Sequence, residues 1–357
     1  MCETELPMLA RVFHAWEHHL ASVSTDRVVR PFEWGLDWLP VNGSRPDPPP
    51  LERLVSYSRR VMADTDAFYR PEPTGDYHFA PAAKARPGSE AGLLTFPSAL
   101  TTPHPENDVV YGRYFPARPA WAAGKPRRAV VVLPQWNADA EGHIGLARLL
   151  AYFGMSALRL SLPYHDRRMP PELGRADYIV SANLGRTLEV CRQAVLDARR
   201  AIAWLAGQGY ERIGILGTSL GSCLALLTAA HEPRIGAAAL NHVSPYFADV
   251  VWRGLSTRHV RAGLDGHVTL DQLREVWAPI NPINYFERMR PKRSLLVYAR
   301  YDLSFPVDLS RFLIDEFRRR QVPHDVAVLP CGHYSTGNAP FKFMDGYVLV
   351  RFLYRNL

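Results

Sequence analysis

The chain has 357 residues, of which 47% are hydrophobic and 22% are charged, a balance that is ordinary for a globular protein and excludes a disordered chain. A chain of this length can bury about three quarters of its unfolded surface, so it needs no disulfide or metal to fold. The formal net charge is +7, but only four of the 42 basic residues are lysines and the arginines are scattered. The charge therefore does not indicate a nucleic-acid-binding protein.

The four cysteines, Cys2, Cys191, Cys223 and Cys331, form no C-x-x-C pair, so they do not indicate a zinc or thioredoxin site. We expect Cys191 and Cys223 to be small core residues. Residues 1–5 are acidic where a signal peptide would be basic, and no apolar run approaches the ~20 residues of a membrane span. The sequence predicts a cytoplasmic protein without a membrane span.

Prolines are dense in the first hundred residues, and apolar residues follow helical spacing over 6–20 and 51–68. Residues 109–115 are predicted to form a strand. We predict that residues 1–106 form a helical, proline-rich N-terminal extension, because its apolar faces need a partner surface. Residues 107–357 then form the main domain.

After residue 125, short apolar strands alternate with helices. The predicted strands are 129–133, 156–160, 212–216, 235–240, 295–299 and 325–329, and the predicted helices are 138–153, 188–205, 220–230, 309–319 and 341–353. This alternation predicts an α/β fold with a mostly parallel sheet that is covered on both faces.

Residues 241–293 interrupt the alternation with about fifty residues that contain helix-like pieces at 246–255 and 270–277. A structureless loop of this length would be unusual in a compact domain. We predict a helical cap over the C-terminal edge of the sheet. Its Trp252 and Trp277 could form an apolar wall of a substrate site or pack the cap against the sheet.

Residues 217–221, Gly-Thr-Ser-Leu-Gly, match the pattern G-x-S-x-G between a predicted strand and a predicted helix. In so tight a turn, a side chain on either glycine would collide with the neighbouring strand or helix. Ser219 would project from a helix N-terminus, where backbone N–H groups favour negative charge. The alternative for Ser219 is a small residue in an ordinary β–α turn.

A serine hydroxyl needs a base to act as a nucleophile at neutral pH. Asp302 and His333 each lie just past a predicted strand, so with Ser219 they fall at the carboxyl edge of a parallel sheet, where ligands of such sheets bind. Asp302 could instead cap the next helix, with Asp308 as the alternative acid. His333 could be an ordinary loop histidine. His242 could line the site or make hydrogen bonds behind it, and residues 164–166 could contact substrate or serve only as a loop.

Residues 107–357 resemble the α/β-hydrolase superfamily on the basis of the 217–221 pattern, Asp302 with Pro306, and residues 331–334. The resemblance implies a doubly wound, mostly parallel, eight-stranded sheet and a catalytic triad of Ser219, His333 and Asp302. It also implies hydrolysis of an ester or related acyl bond without a cofactor or a catalytic metal.

The resemblance further implies an oxyanion hole built from backbone N–H groups. The N–H of Leu220 would be one donor, and that of Trp136 or Gln135 the other, because Pro134 has no N–H. Many superfamily members carry His-Gly at this position, and this chain does not.

We therefore predict a serine hydrolase, a carboxylesterase or lipase-like enzyme, that acts on a small-molecule acyl substrate. A peptidase or acyltransferase with the same triad is the alternative enzyme. A non-catalytic binding protein with the same fold is the alternative from another class, since fold alone does not fix function. The sequence leaves the substrate and the oligomeric state open.

Overall fold

A computed structural model describes residues 8–24, 26–40, 48–83 and 89–357 of the chain. Cys2 and the first residues of the helix predicted at 6–20 lie outside these ranges. Among the described residues, no helix is both long enough and apolar enough to cross a membrane.

The described residues form one nine-stranded sheet in the spatial order β1-β2-β3-β5-β4-β6-β7-β8-β9. The strands are β1 His78–Pro81, β2 Gly92–Pro97, β3 Val109–Phe115, β4 Arg128–Leu133, β5 Ser156–Leu160, β6 Arg212–Thr218, β7 Ile235–Asn241, β8 Arg293–Ala299 and β9 His324–Leu329. In this spatial order, every neighbouring pair from β5 through β4, β6, β7 and β8 to β9 is parallel. Strands β1, β2 and β3 are antiparallel to their neighbours. The predicted α/β class and mostly parallel sheet are confirmed, with nine strands in place of the eight that the resemblance implied.

Twelve α-helices occur within the described ranges. They are α1 Met8–Ser22, α2 Pro50–Ala63, α3 Thr65–Phe68, α4 Pro119–Ala122, α5 Ile144–Tyr152, α6 Leu184–Gly207, α7 Leu220–His231, α8 Phe247–Arg253, α9 Arg258–Leu264, α10 Leu270–Val276, α11 Val307–Arg319 and α12 Phe341–Asn356. Helices α5 and α12 pack on one face of the sheet, and α6, α7 and α11 pack on the other.

Strand β4 shows why the sheet must be covered on both sides. Its side chains point alternately to opposite faces. Ala129, Val131 and Leu133 join the core beneath α6 and α7, whereas Val130 and Val132 join the core beneath α5 and α12. All five are completely buried, so each face needs its own layer of helices.

The N-terminal part of the chain packs against three different regions. Helix α1 lies against the loops that follow β8 and β9, where Phe13 stacks on Tyr301 with ring centroids 4.6 Å apart. Helix α2 packs against α10, and the hydroxyl of Ser58 donates to the carbonyl of Val276 at 2.5 Å. Strands β1 and β2 extend the sheet beyond β3. Residues 78–81 and 92–97, which fall within the predicted extension, are therefore part of the same sheet as β4 to β9.

The helix predicted at 138–153 begins later, at Ile144. The residues before it form turns closed by Gly142 N–H to the Asp139 carbonyl at 3.1 Å and Ile144 N–H to the Glu141 carbonyl at 3.2 Å. His143, at φ 69°, is in the left-handed region, which ends any helix that started earlier.

The segment between β7 and β8 contains α8, α9 and α10. Trp277 is completely buried, and its indole N–H donates to the carbonyl of Leu184 at 3.1 Å, so it packs this segment onto α6. Trp252 is half-buried beneath the guanidinium of Arg261. Neither tryptophan lines the cavity described below.

Candidate active site

Ser219 lies at the sharp turn between β6 and α7. Its backbone has φ 56° and ψ −122°, a conformation that costs energy for any residue with a side chain. The Ser219 N–H donates to the Asn241 carbonyl at 2.8 Å, which fixes the turn to the end of β7. The side chain thereby stands at the carboxyl edge of the sheet, at the N-terminus of α7.

Gly217 and Gly221 make this turn possible. A Cβ on Gly217 would overlap the carbonyl of Gly221, and a Cβ on Gly221 would overlap the carbonyls of Leu133 and Pro134. The collision predicted from the sequence is confirmed, and the obstacle is backbone that cannot rotate away.

Ser219, His333 and Asp302 form a chain of hydrogen bonds. Ser219 Oγ lies 3.0 Å from His333 Nε2, and His333 Nδ1 lies 3.0 Å from Asp302 Oδ2. The structure thus brings together the three residues that the sequence predicted to form a triad. Asp308, the alternative acid, lies in the first turn of α11 and pairs with Arg253 at 2.8 Å. Its side chain is 62% exposed and does not line the cavity.

The carboxylate of Asp302 accepts four hydrogen bonds. Oδ1 accepts from the backbone N–H groups of Ser304 and Phe305 at 2.8 and 2.7 Å, and Oδ2 accepts from His333 and His242 at 3.0 Å each. Because α11 begins at Val307, Asp302 is not its N-cap. Burial by itself raises the pKa of Asp302, but the two histidines outweigh it and hold that pKa well below its usual range. Asp302 is therefore a carboxylate at neutral pH.

His242 follows β7 at φ 57° and is buried against the triad. Its ring meets that of His333 edge to face at 4.7 Å, and it also lines the cavity. Both alternatives that the sequence offered for His242 are therefore present in one residue. Burial lowers the pKa of His333, but the charge and hydrogen bond of Asp302 outweigh this, so the pKa lies above its usual value.

The loop that carries His333 is held by a residue from the other end of the chain. Glu17, on α1, is completely buried. Its carboxylate oxygens accept hydrogen bonds from the backbone N–H groups of Tyr334 and Ser335, at 2.8 and 2.9 Å. Gly332 lies directly against the Glu17 side chain, where a Cβ would not fit. No local pattern around Glu17 indicates this role, because its partners are more than 300 residues away.

The residues predicted to form an oxyanion hole lie on both sides of Ser219. Leu220 is the first residue of α7, where N–H groups have no acceptor within the helix. Gln135 and Trp136 lie in the turn after β4, and both line the cavity. The next N–H along, that of Asn137, donates to His165 Nε2 at 3.0 Å. The choice between Gln135 and Trp136 stays a prediction.

His165 supports this turn from behind. It is buried, and its Nδ1 lies 2.8 Å from the Pro163 carbonyl, so Nδ1 carries the proton and Nε2 accepts from Asn137. Burial lowers the pKa of His165 to about 4, which keeps it neutral. Of the two roles open to residues 164–166, the structural role of a loop is therefore the one seen.

Two cavities meet at Ser219. The larger, of about 870 Å³, is lined mainly by polar and charged side chains, among them Ser219, His333, Tyr334, Arg27, Arg175, Lys342 and Asp345. The smaller, of about 30 Å³, is mostly apolar. It is lined by Trp136, Val180, Leu220, Cys223, Phe247, Val250, Val251 and Phe305, together with the hydroxyl residues Ser219, Ser256 and Thr257. Ser219, Trp136 and Ser256 are common to both cavities.

Comparison with solved structures identifies the fold. An acylaminoacyl peptidase from Pyrococcus horikoshii superposes with a TM-score of 0.56 at 15% identity, over 70% of this chain and 40% of that one. An acetyl xylan esterase from Paenibacillus sp. R4 superposes with a TM-score of 0.62 at 16% identity, over 92% of this chain and 100% of that one. The chain has the α/β-hydrolase fold.

Acetyl Xylan Esterase 1 from Thermoanaerobacterium sp. JW/SL YS485 shares this fold, with a TM-score of 0.58 at 13% identity over 87% of this chain and 96% of that one. This chain spans about 40% of the length of the peptidase that it matches. No protein-family model matches the sequence, and no curated protein is detectably similar to it.

Within this α/β-hydrolase fold, one group of described residues has the composition of a metal site, namely His242, Asp302 and His333. The atoms that face one another are Nδ1 of each histidine and the carboxylate of Asp302, and both Nδ1 atoms already form hydrogen bonds with that carboxylate. Each imidazole nitrogen that faces Asp302 thus carries a proton, so the donor set does not fit a cation. Cys191, Cys223 and Cys331 are buried in the core, and burial raises the pKa of Cys223 to about 11.

Proposed function

We propose that this chain is a serine hydrolase that cleaves a short-chain carboxylic ester. Ser219 is the nucleophile, His333 the general base and acid, and Asp302 the residue that orients His333. The observation that carries the proposal is the pair of hydrogen bonds, 3.0 Å each, that joins these residues at the edge of the two cavities.

In the first step, His333 Nε2 takes the proton of Ser219 as Oγ bonds to the ester carbonyl carbon. The carbonyl electron pair moves onto oxygen, where the N–H of Leu220 and that of Trp136 or Gln135 stabilise the negative charge. The charge of Asp302 favours the imidazolium that forms on His333. When the tetrahedral intermediate collapses, the C–O bond to the alcohol breaks, and His333 gives its proton to the departing alcohol oxygen.

In the second step, His333 takes a proton from water, whose oxygen bonds to the acyl carbon. The bond to Ser219 Oγ then breaks, Ser219 recovers its proton from His333, and the carboxylic acid leaves. No cofactor enters either step.

The two cavities differ in how they could serve the two halves of the ester. The alcohol must leave on the side of His333, which lines the large cavity and not the small one. The acyl group would then occupy the small apolar cavity beside Leu220, Val250 and Phe305. Its volume of about 30 Å³ supports an acetyl- or propionyl-sized group, because one water-sized group needs roughly 10–15 Å³ on this measure. Two of the similar structures are acetyl xylan esterases by name, which agrees with this size.

The test combines labelling with turnover. The native protein should react stoichiometrically with a fluorophosphonate probe and should hydrolyse p-nitrophenyl acetate faster than the butyrate and octanoate esters. Ser219→Ala should lose the label, and Asp302→Asn should lose most of the turnover. Asp308→Asn is the matched control, since it removes the same charge from an exposed site, and it should retain full activity.

Two results would contradict the proposal. Absence of labelling in the native protein would favour a non-catalytic binding protein. Labelling without ester turnover, together with cleavage of acyl-peptides or acyl transfer to an added alcohol, would favour a peptidase or an acyltransferase with the same triad.

A further inference from the structure

The larger cavity is lined by the positively charged side chain of Arg175, which a site for a neutral alcohol would not require. The side chain of Arg175 is only 10% exposed, and it lines the cavity with its guanidinium 5.4 Å from the ring centroid of Trp136. Its Nη1 donates to Asp26 at 2.9 Å, and its Nε lies 3.5 Å from Asp177. Asp26 is 56% exposed, so water weakens its share of the pairing.

A second guanidinium, that of Arg27, lines the same cavity. Its Nη2 donates to the phenol of Tyr334 at 2.8 Å, next to His333 in the chain. Its Nε is buried and has no hydrogen-bond partner. In the part of the chain that the structure describes, no carboxylate lies within ion-pair distance of Arg27. A buried donor without an acceptor costs free energy unless a ligand supplies one.

The carboxylates of this region pair with other arginines. Asp177 accepts a hydrogen bond from Arg30 at 3.1 Å, and Arg175 lies against Asp26 and Asp177, so neither carboxylate is paired with Arg27. Tyr334 supplies no negative charge, since burial raises the pKa of its phenol. Among the described residues, Arg27 therefore has no carboxylate in ion-pair contact, and its guanidinium lies at the side of the cavity next to His333.

His259 closes the cluster without adding charge. Its ring stacks on that of Trp136 with centroids 5.6 Å apart, and neither of its nitrogens has a hydrogen-bond partner in the described ranges. Burial, with the nearby charge of Arg175, lowers the pKa of His259 to about 4. His259 is therefore neutral at neutral pH and adds no charge to those of Arg27 and Arg175.

We propose that Arg27 and Arg175 bind an oxyanion group, carboxylate or phosphate, that is carried by the alcohol half of the substrate. Guanidinium groups are suited to both anions, because their N–H groups match pairs of anionic oxygens. The inference rests on the proposed function in one respect, since it places the alcohol on the His333 side of Ser219. Esters with an anionic alcohol half are thus the substrate class.

Binding can be measured without turnover in the Ser219→Ala variant by calorimetry. The ligands are 3-phenylpropionate, phenyl phosphate and the neutral 3-phenylpropionamide. We expect at least one anion to bind about tenfold or more tightly than the amide, and the tighter anion identifies the group. In a Ser219→Ala background, Arg27→Met should weaken anion binding about tenfold and leave the amide unchanged, and Arg27→Lys should retain part of the preference.

Arg261→Met is the control, because Arg261 is an exposed arginine over Trp252 that does not line the cavity. It should leave all three affinities unchanged. Equal binding of anions and amide would overturn the inference. So would an equal loss for anion and amide in Arg27→Met, since it would mean that Arg27 only supports Tyr334. Selective anion binding without any ester turnover would support the anion site and refute the proposed function. Ester turnover without a preference for anions would support the proposed function and refute the anion site.

Discussion

The contact between Glu17 and the His333 loop gives the sharpest test of how the N-terminal helix supports the site. Replacing Glu17 by Gln keeps the size of the side chain but exchanges one acceptor oxygen for an N–H₂ group. Glu17 accepts hydrogen bonds from two backbone N–H groups, at 2.8 and 2.9 Å. After the substitution, one of these N–H groups faces the new N–H₂ group, which is also a donor. Loss of a hydrogen bond to a charged group costs about 1.5–3 kcal/mol, and an orphaned buried N–H adds to it, so we expect a loss of about 3 kcal/mol in the free energy of unfolding.

The same substitution should lower activity, because residues 334 and 335 directly follow the base. A displacement of about 1 Å in a reacting group can cost 10²-fold in rate, so we expect kcat for p-nitrophenyl acetate to fall about 10- to 100-fold with KM little changed. The negative charge of Glu17 also raises the pKa of His333, so its removal should move the acidic limb of the pH–rate profile to lower pH.

Urea denaturation, steady-state kinetics and the pH profile measure these three effects. Glu52→Gln serves as the control, since Glu52 is an exposed glutamate in the first turn of α2. It should change stability by about 0.3–1 kcal/mol, well below the effect expected at Glu17. If Glu17→Gln retains both native stability and native kcat, the reasoning that α1 holds the His333 loop is refuted.

Three further predictions follow from the site. Because the pKa of His333 lies above its ordinary value of 6.5 and the base must be neutral, kcat/KM for a neutral ester should rise with pH through a midpoint above 6.5; a midpoint below 6.5 would contradict the Asp302 contact. His242→Leu removes one of the four donors to Asp302 and should lower kcat about tenfold in steady-state assays, which corresponds to about 1.4 kcal/mol in the activation barrier. An unchanged kcat would mean that His242 only lines the cavity. Val250→Ala enlarges the small cavity and should raise the butyrate-to-acetate ratio of kcat/KM, which a wrong placement of the acyl group would leave unchanged.

The sequence allowed the strands of the parallel sheet, and the cluster of Ser219, Asp302 and His333 at its edge, to be predicted because each signal is local. Ser219 lies within a five-residue pattern whose glycines are dictated by the turn itself, and Asp302 and His333 each follow a strand that periodicity identifies. The contacts made by Glu17, Arg27 and His242 depend on residues that meet only after folding. Their identity could not be inferred from neighbours in the chain, since a lone charged or imidazole side chain has no periodic signature.

Strands β1 and β2 were missed for a related reason. Both end in a proline, Pro81 and Pro97, and prolines indicate loops when they are read locally. Strand β1 is an edge strand, so its proline leaves no ladder bond unmade. Its exposed side chains also lack the alternation that marks a half-buried strand. Only pairing with β3, through β2, shows that this region belongs to the sheet.

The separation of 317 and 318 residues between Glu17 and the two backbone N–H groups that donate to it has a consequence for how the protein folds. Helix α1 is synthesised more than 300 residues before the loop whose N–H groups satisfy its buried carboxylate. The sheet and most of the core can assemble before this contact closes, and contacts of such long range form late because a large loop must be ordered first. The His333 loop thus acquires its final support only after it has met α1, so an intermediate with a folded sheet would not yet have an ordered His333.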